Sequence, residues 1–299
     1  MFHCISRECF RWLEAQPNVK EESLTDWLLY AASRITDRVY YKTFTRNEEA
    51  SIGADWEWWV LTSEKGSIYV YRFLIQAKKL KSGGDNYSLV GYCNRNGMQI
   101  DLLLGAAERR GAMPLYLYYS CSSPQLPEQI KNFHFVDPHI VNWCEKCVNG
   151  AYLSMAHRVK EQVFDQPRKK LSDEDLLNDS LGLSMCDWLW RPTVKPYDHL
   201  RSDRPENGSA IQNSPAAWVL SAVNCFYLEH KCAQRKQNES GIKCAWENIP
   251  PYLKTLVERH GEELDWFEPE FGGHSGQFEG LLGTAVFDFT DHYEEDLIG

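Results

Sequence analysis

Two short patterns, Asp55-x-Glu57 and Gln76-x-Lys78, bring together side chains that can do chemistry. Each lies in an aromatic, β-branched run, ADWEWWVL and SIYVYRFLIQAKKL, that reads as a strand. Alternation sends Gln76 and Lys78 to one face of their strand and Ile75 and Ala77 to the other. Asp55 and Glu57 share a face for the same reason. The intervening TSEKG is short and turn-like, so the two strands are expected to pair and their four polar groups to converge. Trp56, Trp58, Ile75 and Ala77 would then pack on the opposite face. A slip of one residue would turn Gln76 and Lys78 toward that face instead. Carboxylates beside a neutral amide and an ammonium suit phosphodiester hydrolysis. Asp55 would hold a divalent cation, with Gln76 and the Ala77 carbonyl as neutral oxygen ligands. Lys78 would orient the attacking water or offset charge developing on the phosphate. An all-oxygen set points to Mg²⁺, with Mn²⁺ as the alternative that sequence does not separate.

The elements that must position these groups follow from periodicity. EESLTDWLLYAASRITD, residues 21 to 37, places Leu24, Trp27, Leu28, Ala31 and Ile35 on one side of a helix. Glu21 and Glu22 at its start suit the positive end of the helix dipole, and Glu22 could equally reach the site. VYYKTFTR, from Val39 to Arg46, reads as a first strand, ahead of the Asp55 and Gln76 strands. GMQIDLLLGAAERR, from Gly97 to Arg110, reads as a helix with Gly111 as its stop. MPLYLYYS, from Met113 to Ser120, is a further strand. Helix, three strands, helix and strand make a compact α/β unit. Beyond it, VDPHIVNWCEKC, AYLSMAHRVKEQVF, AAWVLSAVNCFYLEHKCAQRK and PYLKTLVERH read as helical, and FEGLLGTAVFDFT reads as a closing strand. The Pro-, Asn- and Ser-rich RPTVKPYDHLRSDRPENGSAIQNSP is the best linker candidate. The expected organisation is a domain over 1–127 and a mainly helical accessory or recognition region over 128–299.

These residues, in this order, resemble the PD-(D/E)XK restriction-endonuclease-like nuclease superfamily, whose core is αβββαβ. Gly53-Ala54-Asp55 sits where the motif's Asp lies, without the Pro that usually precedes it. Gln76-Ala77-Lys78 resembles the Q-x-K variant found in Mrr-type restriction enzymes. The family often adds an acidic residue from the first helix, which implies Glu22, with Glu21 as its neighbour. FTRNEEASIGADWEWW also resembles a group of uncharacterised bacterial proteins near these nucleases, some in phage defence. The resemblance covers roughly residues 21 to 120. It implies Mg²⁺-dependent endonucleolytic cleavage, with DNA preferred to RNA as partner. The alternative is a module that keeps the fold for nucleic-acid or protein binding without turnover. Glu57 is the next choice of completing carboxylate, as ligand to a second ion or in place of the helical one, and Glu49 the last. Lys79 and Lys81 are expected to be solvated or to face phosphate. Gln99 and Asp101 lie on the helix whose polar side could approach the site.

Composition narrows the remaining classes. The chain has 299 residues, enough for a sizeable core, and a formal charge of −10, which disfavours nonspecific coating of nucleic acid while allowing a local basic groove. No apolar run of about 18 residues is present, so no membrane span is expected. The N-terminal stretch lacks a signal-peptide core. Ten scattered cysteines fit reduced thiols in a cytoplasmic protein. Cys144 and Cys147 have C-x₂-C spacing near His134, His139 and His157, but a zinc site needs two further ligands held in a closed tetrahedron, and one C-x₂-C without a second is a weak signal. There is no phosphate-binding G-x-x-x-x-G-K-[ST] loop, so ATP use is not expected. A homodimer or a regulatory protein partner is compatible with the acidic balance.

Overall fold

The computed structural model describes residues 2–36, 38–43, 52–64, 67–122, 150–164, 170–177, 183–184, 243–245, 250, 252–254 and 281–289. The elements in chain order are α1 (Phe2–Ala15), α2 (Glu21–Ile35), β1 (Val39–Thr43), β2 (Trp56–Glu64), β3 (Ser67–Lys79), α3 (Tyr87–Val90), β4 (Cys93–Asn94), β5 (Gly97–Met98), α4 (Gln99–Arg110) and β6 (Met113–Tyr119). Then follow β7 (Ala151–Met155), α5 (Ala156–Val163), α6 (Asp173–Leu177), β8 (Leu183–Ser184), β9 (Lys243–Ala245) and β10 (Gly283–Phe289). This is a mixed α/β fold.

Among the described residues one sheet of eight strands runs in the order β1-β10-β2-β3-β6-β7-β8, with β9 paired to β3. β2 and β3 form the antiparallel hairpin expected from their short connection, with Trp56 opposite Ile75 and Glu57 opposite Leu74. β6 lies parallel to β3, so the chain must cross over between them, and α4 supplies that crossover. Helices cover both faces. Trp56, Trp58, Ile75 and Ala77 join Leu24, Leu28 and Leu29 of α2 and Ile5, Cys9 and Leu13 of α1 in one core. Leu74, Tyr116 and Tyr118 join Ile100 and Leu103 of α4 and Val159 and Val163 of α5 in the other. Tyr119 Oη donates to Thr25 Oγ1 at 2.9 Å and so fastens α2 to the sheet. Gly111 ends α4 at φ 59°, with its N–H on Glu108 O and the Ala112 N–H on Ala107 O.

Several elements differ from expectation. AYLSM is a strand, and only the residues after it are helical. Its side chains are buried throughout against β6, and a segment enclosed on both sides loses the alternation that marks a half-exposed strand. α4 begins at Gln99, because Gly97 and Met98 belong to a two-stranded hairpin with Cys93 and Asn94. α1, which no cap or long stripe announces, is held by Ile5, Cys9 and Leu13 at fourfold spacing. FEGLLGTAVFDFT does supply a strand, but that strand enters the middle of the sheet between β1 and β2. Described residues beyond 127 contribute four strands, two short helices and helical residues 252–254 within the expected PYLKTLVERH helix, while most of the region expected to be helical lies outside the described residues. Residues 128–149, 191–215 and most of 216–280, with Cys144, Cys147, His134 and His139, lie outside the described residues, as does Glu49. Among the described residues no helix is long and apolar enough to cross a membrane.

Candidate functional site

Asp55 stands one residue before β2, where the hairpin opens. Its backbone is gripped from both sides: its N–H donates to Ile75 O at 2.8 Å, and its carbonyl accepts the Leu282 N–H at 2.6 Å, just before β10. Gly53 explains why the chain can arrive there. Its φ is +70°, and a Cβ at this position would stand 2.4 Å from Gln99 O and 2.6 Å from Leu103 N, so the start of α4 presses directly on it.

The carboxylate then turns to β3. Asp55 Oδ2 accepts Gln76 Nε2 at 2.5 Å and the Ala77 N–H at 2.9 Å. Gln76 Nε2 also donates to the Ala77 carbonyl at 3.0 Å. Lys78 follows on the same face, 6% exposed, with Nζ 5.9 Å from the centroid of the Tyr92 ring. Burial pushes the Asp55 carboxyl up to about 7. The Lys78 charge and the Ala77 N–H pull the other way, and Glu21 and Glu22 add to the rise. Asp55, Gln76, Ala77 and Lys78 are therefore brought together at one end of the sheet.

The first turn of α2 reaches this place through Glu21 more directly than through Glu22. Glu21 Oε2 accepts the Lys79 N–H at 3.1 Å, while Glu22 is half-buried and repels both Asp55 and Asp26. Lys79 is not a solvated side chain: Nζ donates to Pro17 O and Val19 O, each at 2.7 Å, tying β3 to the segment before α2. Lys81 is exposed as expected.

Glu57 shares the face of Asp55 but not its surroundings, and here the expectation is corrected. It is 0% exposed. Its Oε1 takes Arg72 Nε at 2.8 Å and Arg72 Nη2 at 2.5 Å, and its Oε2 takes Trp59 Nε1 at 2.9 Å and Tyr252 Oη at 2.7 Å. Both carboxylate oxygens are committed to donors in the fold, which is how a fully buried charge is made tolerable. Glu57 is a structural ion pair one pleat inward from the site.

Two groups that sequence reasoning missed or ranked low, Tyr116 and Gln99, lie on the same side of the sheet as Asp55. Tyr116 lies opposite Gln76 in the β3–β6 register and is fully buried. Burial, then the charges of Asp55 and Asp101, hold its hydroxyl above the usual phenol range. Gln99, against Gly53, is buried at the start of α4. Tyr116 Oη, Gln99 Oε1 and Gln76 Oε1 are buried without a hydrogen-bond partner among the described residues. Buried polar atoms normally find partners, and the Gln76 and Tyr116 atoms sit side by side in the β3–β6 register. The signal for Tyr116 was present in the alternation of MPLYLYYS, but using it required knowing that β6 pairs with β3. Asp101 is exposed and ion-paired with Lys160 at 2.6 Å.

Among the described residues no three His, Cys, Asp or Glu side chains group closely enough to hold a metal ion. The oxygens that do gather are of mixed type: Asp55 Oδ2 and Ala77 O both lie within hydrogen-bonding distance of Gln76 Nε2. No curated protein and no solved structure matches the chain. One family model matches residues 1–272, and the chain belongs to that family of unknown function, DUF6615.

Proposed function

We propose that the protein is a metal-dependent nuclease of the restriction-endonuclease-like kind, hydrolysing phosphodiester bonds in DNA more readily than in RNA, in a bacterial defence setting. The observation that carries this reading is the convergence of Asp55 Oδ2 and the Ala77 carbonyl on the Gln76 amide, with buried Lys78 on the same face. The order α2-β1-β2-β3-α4-β6, with the short α3, β4 and β5 between β3 and α4 set aside, supports it as well, matching the αβββαβ order of that superfamily.

The donor set fits a hard divalent cation. Gln76 Nε2 now bridges the two oxygens that such an ion would use, while Gln76 Oε1 has no partner among the described residues. Turning the amide about its last torsion exchanges the two atoms and gives three oxygens around one point. Asp55, Gln76 and the Ala77 carbonyl would hold Mg²⁺ or Mn²⁺, with Glu21 or Glu22 adding negative charge from α2. A bound cation supplies Lewis acidity to the phosphate and lowers the pKa of water. Asp55 must give up its proton to bind, and its position near neutrality leaves it able to do so at physiological pH. Lys78, almost wholly enclosed, offsets negative charge as it builds on the phosphate, where an ammonium counts for more than in water. Tyr116 Oη, close enough to feel the Asp55 charge, is a donor for a phosphate or water oxygen.

The test is incubation of the purified full chain with plasmid DNA and with single-stranded RNA, in Mg²⁺ or Mn²⁺ and with chelator. Cutting that needs the ion, and is lost in Asp55→Ala, is expected. Binding without cutting under every ion would favour the module that retains the fold without turnover.

A further inference from the structure

Among the described residues only Tyr30, Ile35 and Tyr92 are exposed large hydrophobic side chains. Tyr30 and Ile35 belong to α2, which covers the other face of the sheet. Tyr92 alone stands beside the Asp55 site, 50% exposed, with the Lys78 ammonium 5.9 Å from its ring centroid. That distance is within the range over which a cation is attracted to an aromatic face. The ring thus meets the site's cation while keeping half of its surface open to solvent.

Its backbone is fixed on both sides. The Gly91 N–H closes α3 on Tyr87 O at 2.8 Å, and Tyr92 O accepts the Gln99 N–H at 2.9 Å, at the start of α4. Directly after it, the Cys93–Asn94 and Gly97–Met98 strands pair, and the turn between them is closed by the Asn96 N–H on Asn94 Oδ1 at 2.8 Å. A ring carried on backbone ordered before any ligand arrives loses less conformational entropy on binding than one on a mobile loop.

Resting on the nuclease reading above, we infer that Tyr92 is a stacking platform for the nucleobase beside the scissile phosphate, so that the site takes an unpaired nucleotide. A phosphate held against Lys78 has its base one sugar away, the scale that separates Lys78 Nζ from the ring. Every base presents a π-face, so this contact selects for strand state and not for sequence. A base inside a continuous duplex is stacked on its neighbours and cannot use the ring without being drawn out. The substrate class is therefore DNA with a single-stranded, frayed or splayed segment at the point of cleavage.

The experiment uses the full chain in EDTA, where no turnover intervenes, and a single-stranded oligonucleotide carrying 2-aminopurine as fluorescent base. Wild type and Tyr92→Phe should bind and quench the probe alike. Tyr92→Ala should bind about tenfold more weakly or worse and lose the quenching, while fully paired duplex binding is unchanged. In Mg²⁺, Tyr92→Ala should raise KM for the single strand and leave kcat within a fewfold. Equal quenching and affinity for Tyr92→Ala and wild type would overturn the inference, as would no binding of the single strand by wild type. If Tyr92→Ala matches wild type while cutting still depends on Asp55, stacking fails and the nuclease reading stands. If quenching depends on Tyr92 but no ion supports cutting, the reverse holds.

Discussion

Asp55 holds a hydrogen-bonded place and an ionisation near neutrality at once, and the second property is open to measurement. Its folded value of about 7 lies above the ordinary 3.8, so the native state retains a proton that the unfolded chain has lost between those values. The stability contributed by neutral Asp55 is complete below pH 3.8, falls as pH rises toward 7 and is flat above it. The slope is at most about 1.4 kcal/mol per pH unit. Asp55→Asn should remove this dependence, so urea titrations at pH 5 and pH 8 should show the variant gaining on wild type at the higher pH. On the proposed reading the same proton would compete with a cation. Apparent Mg²⁺ affinity should rise up to tenfold per pH unit toward pH 7 and then level, as calorimetry would show. Glu57 makes the opposite case at the same scale. Glu57→Ala would leave Arg72 facing a buried space and should cost about 3–5 kcal/mol of stability, read by denaturant titration. A selective loss of cleavage with normal stability would instead return Glu57 to the site. Sequence alternation correctly placed both carboxylates on one face. It could not separate them, because the partners of Glu57 come from Arg72 across the hairpin and from Tyr252, far along the chain.

Elements fix the site through two close contacts. α4 meets the GAD turn at Gly53, and α2 meets β3 through Glu21 and Lys79. Gly53→Ala would put a side chain at φ +70° and into the α4 backbone, a cost of at least about 1–3 kcal/mol from the backbone conformation alone. Because that displacement falls two residues before Asp55, activity should fall further than thermal stability does; equal loss of both would argue against a positioning role. The β2–β3 pairing, α2, α4 and the Gly111 stop were legible because each rests on local signals: a short turn, helical spacing, a glycine at the end of a periodic run. β7 was read as helix because its burial on both sides erased its period. The hairpin before α4 was missed because its strands are only two residues each. Tyr116 and Tyr92 joined the site only through pairings and contacts between distant segments, which no local pattern encodes.

Across the whole molecule, the sheet is assembled from both ends of the chain. β10 is inserted between β1 and β2, antiparallel to one and parallel to the other, and Leu282 just before it holds the Asp55 carbonyl. The chain cut after residue 280 should therefore lose the fold and not merely an accessory region, with circular dichroism and proteolysis as the checks. A folded, ion-dependent nuclease made of residues 1–127 alone would contradict that. The central claim concerns Asp55 and Lys78 acting together on a phosphodiester. Its most direct test is the single-turnover rate of DNA cleavage in Mg²⁺ by wild type, Asp55→Asn and Lys78→Ala, each first shown to melt as a folded protein. The account predicts loss of about a hundredfold or more in each variant, with chelator abolishing what wild type does. Equal rates in all three proteins would contradict it.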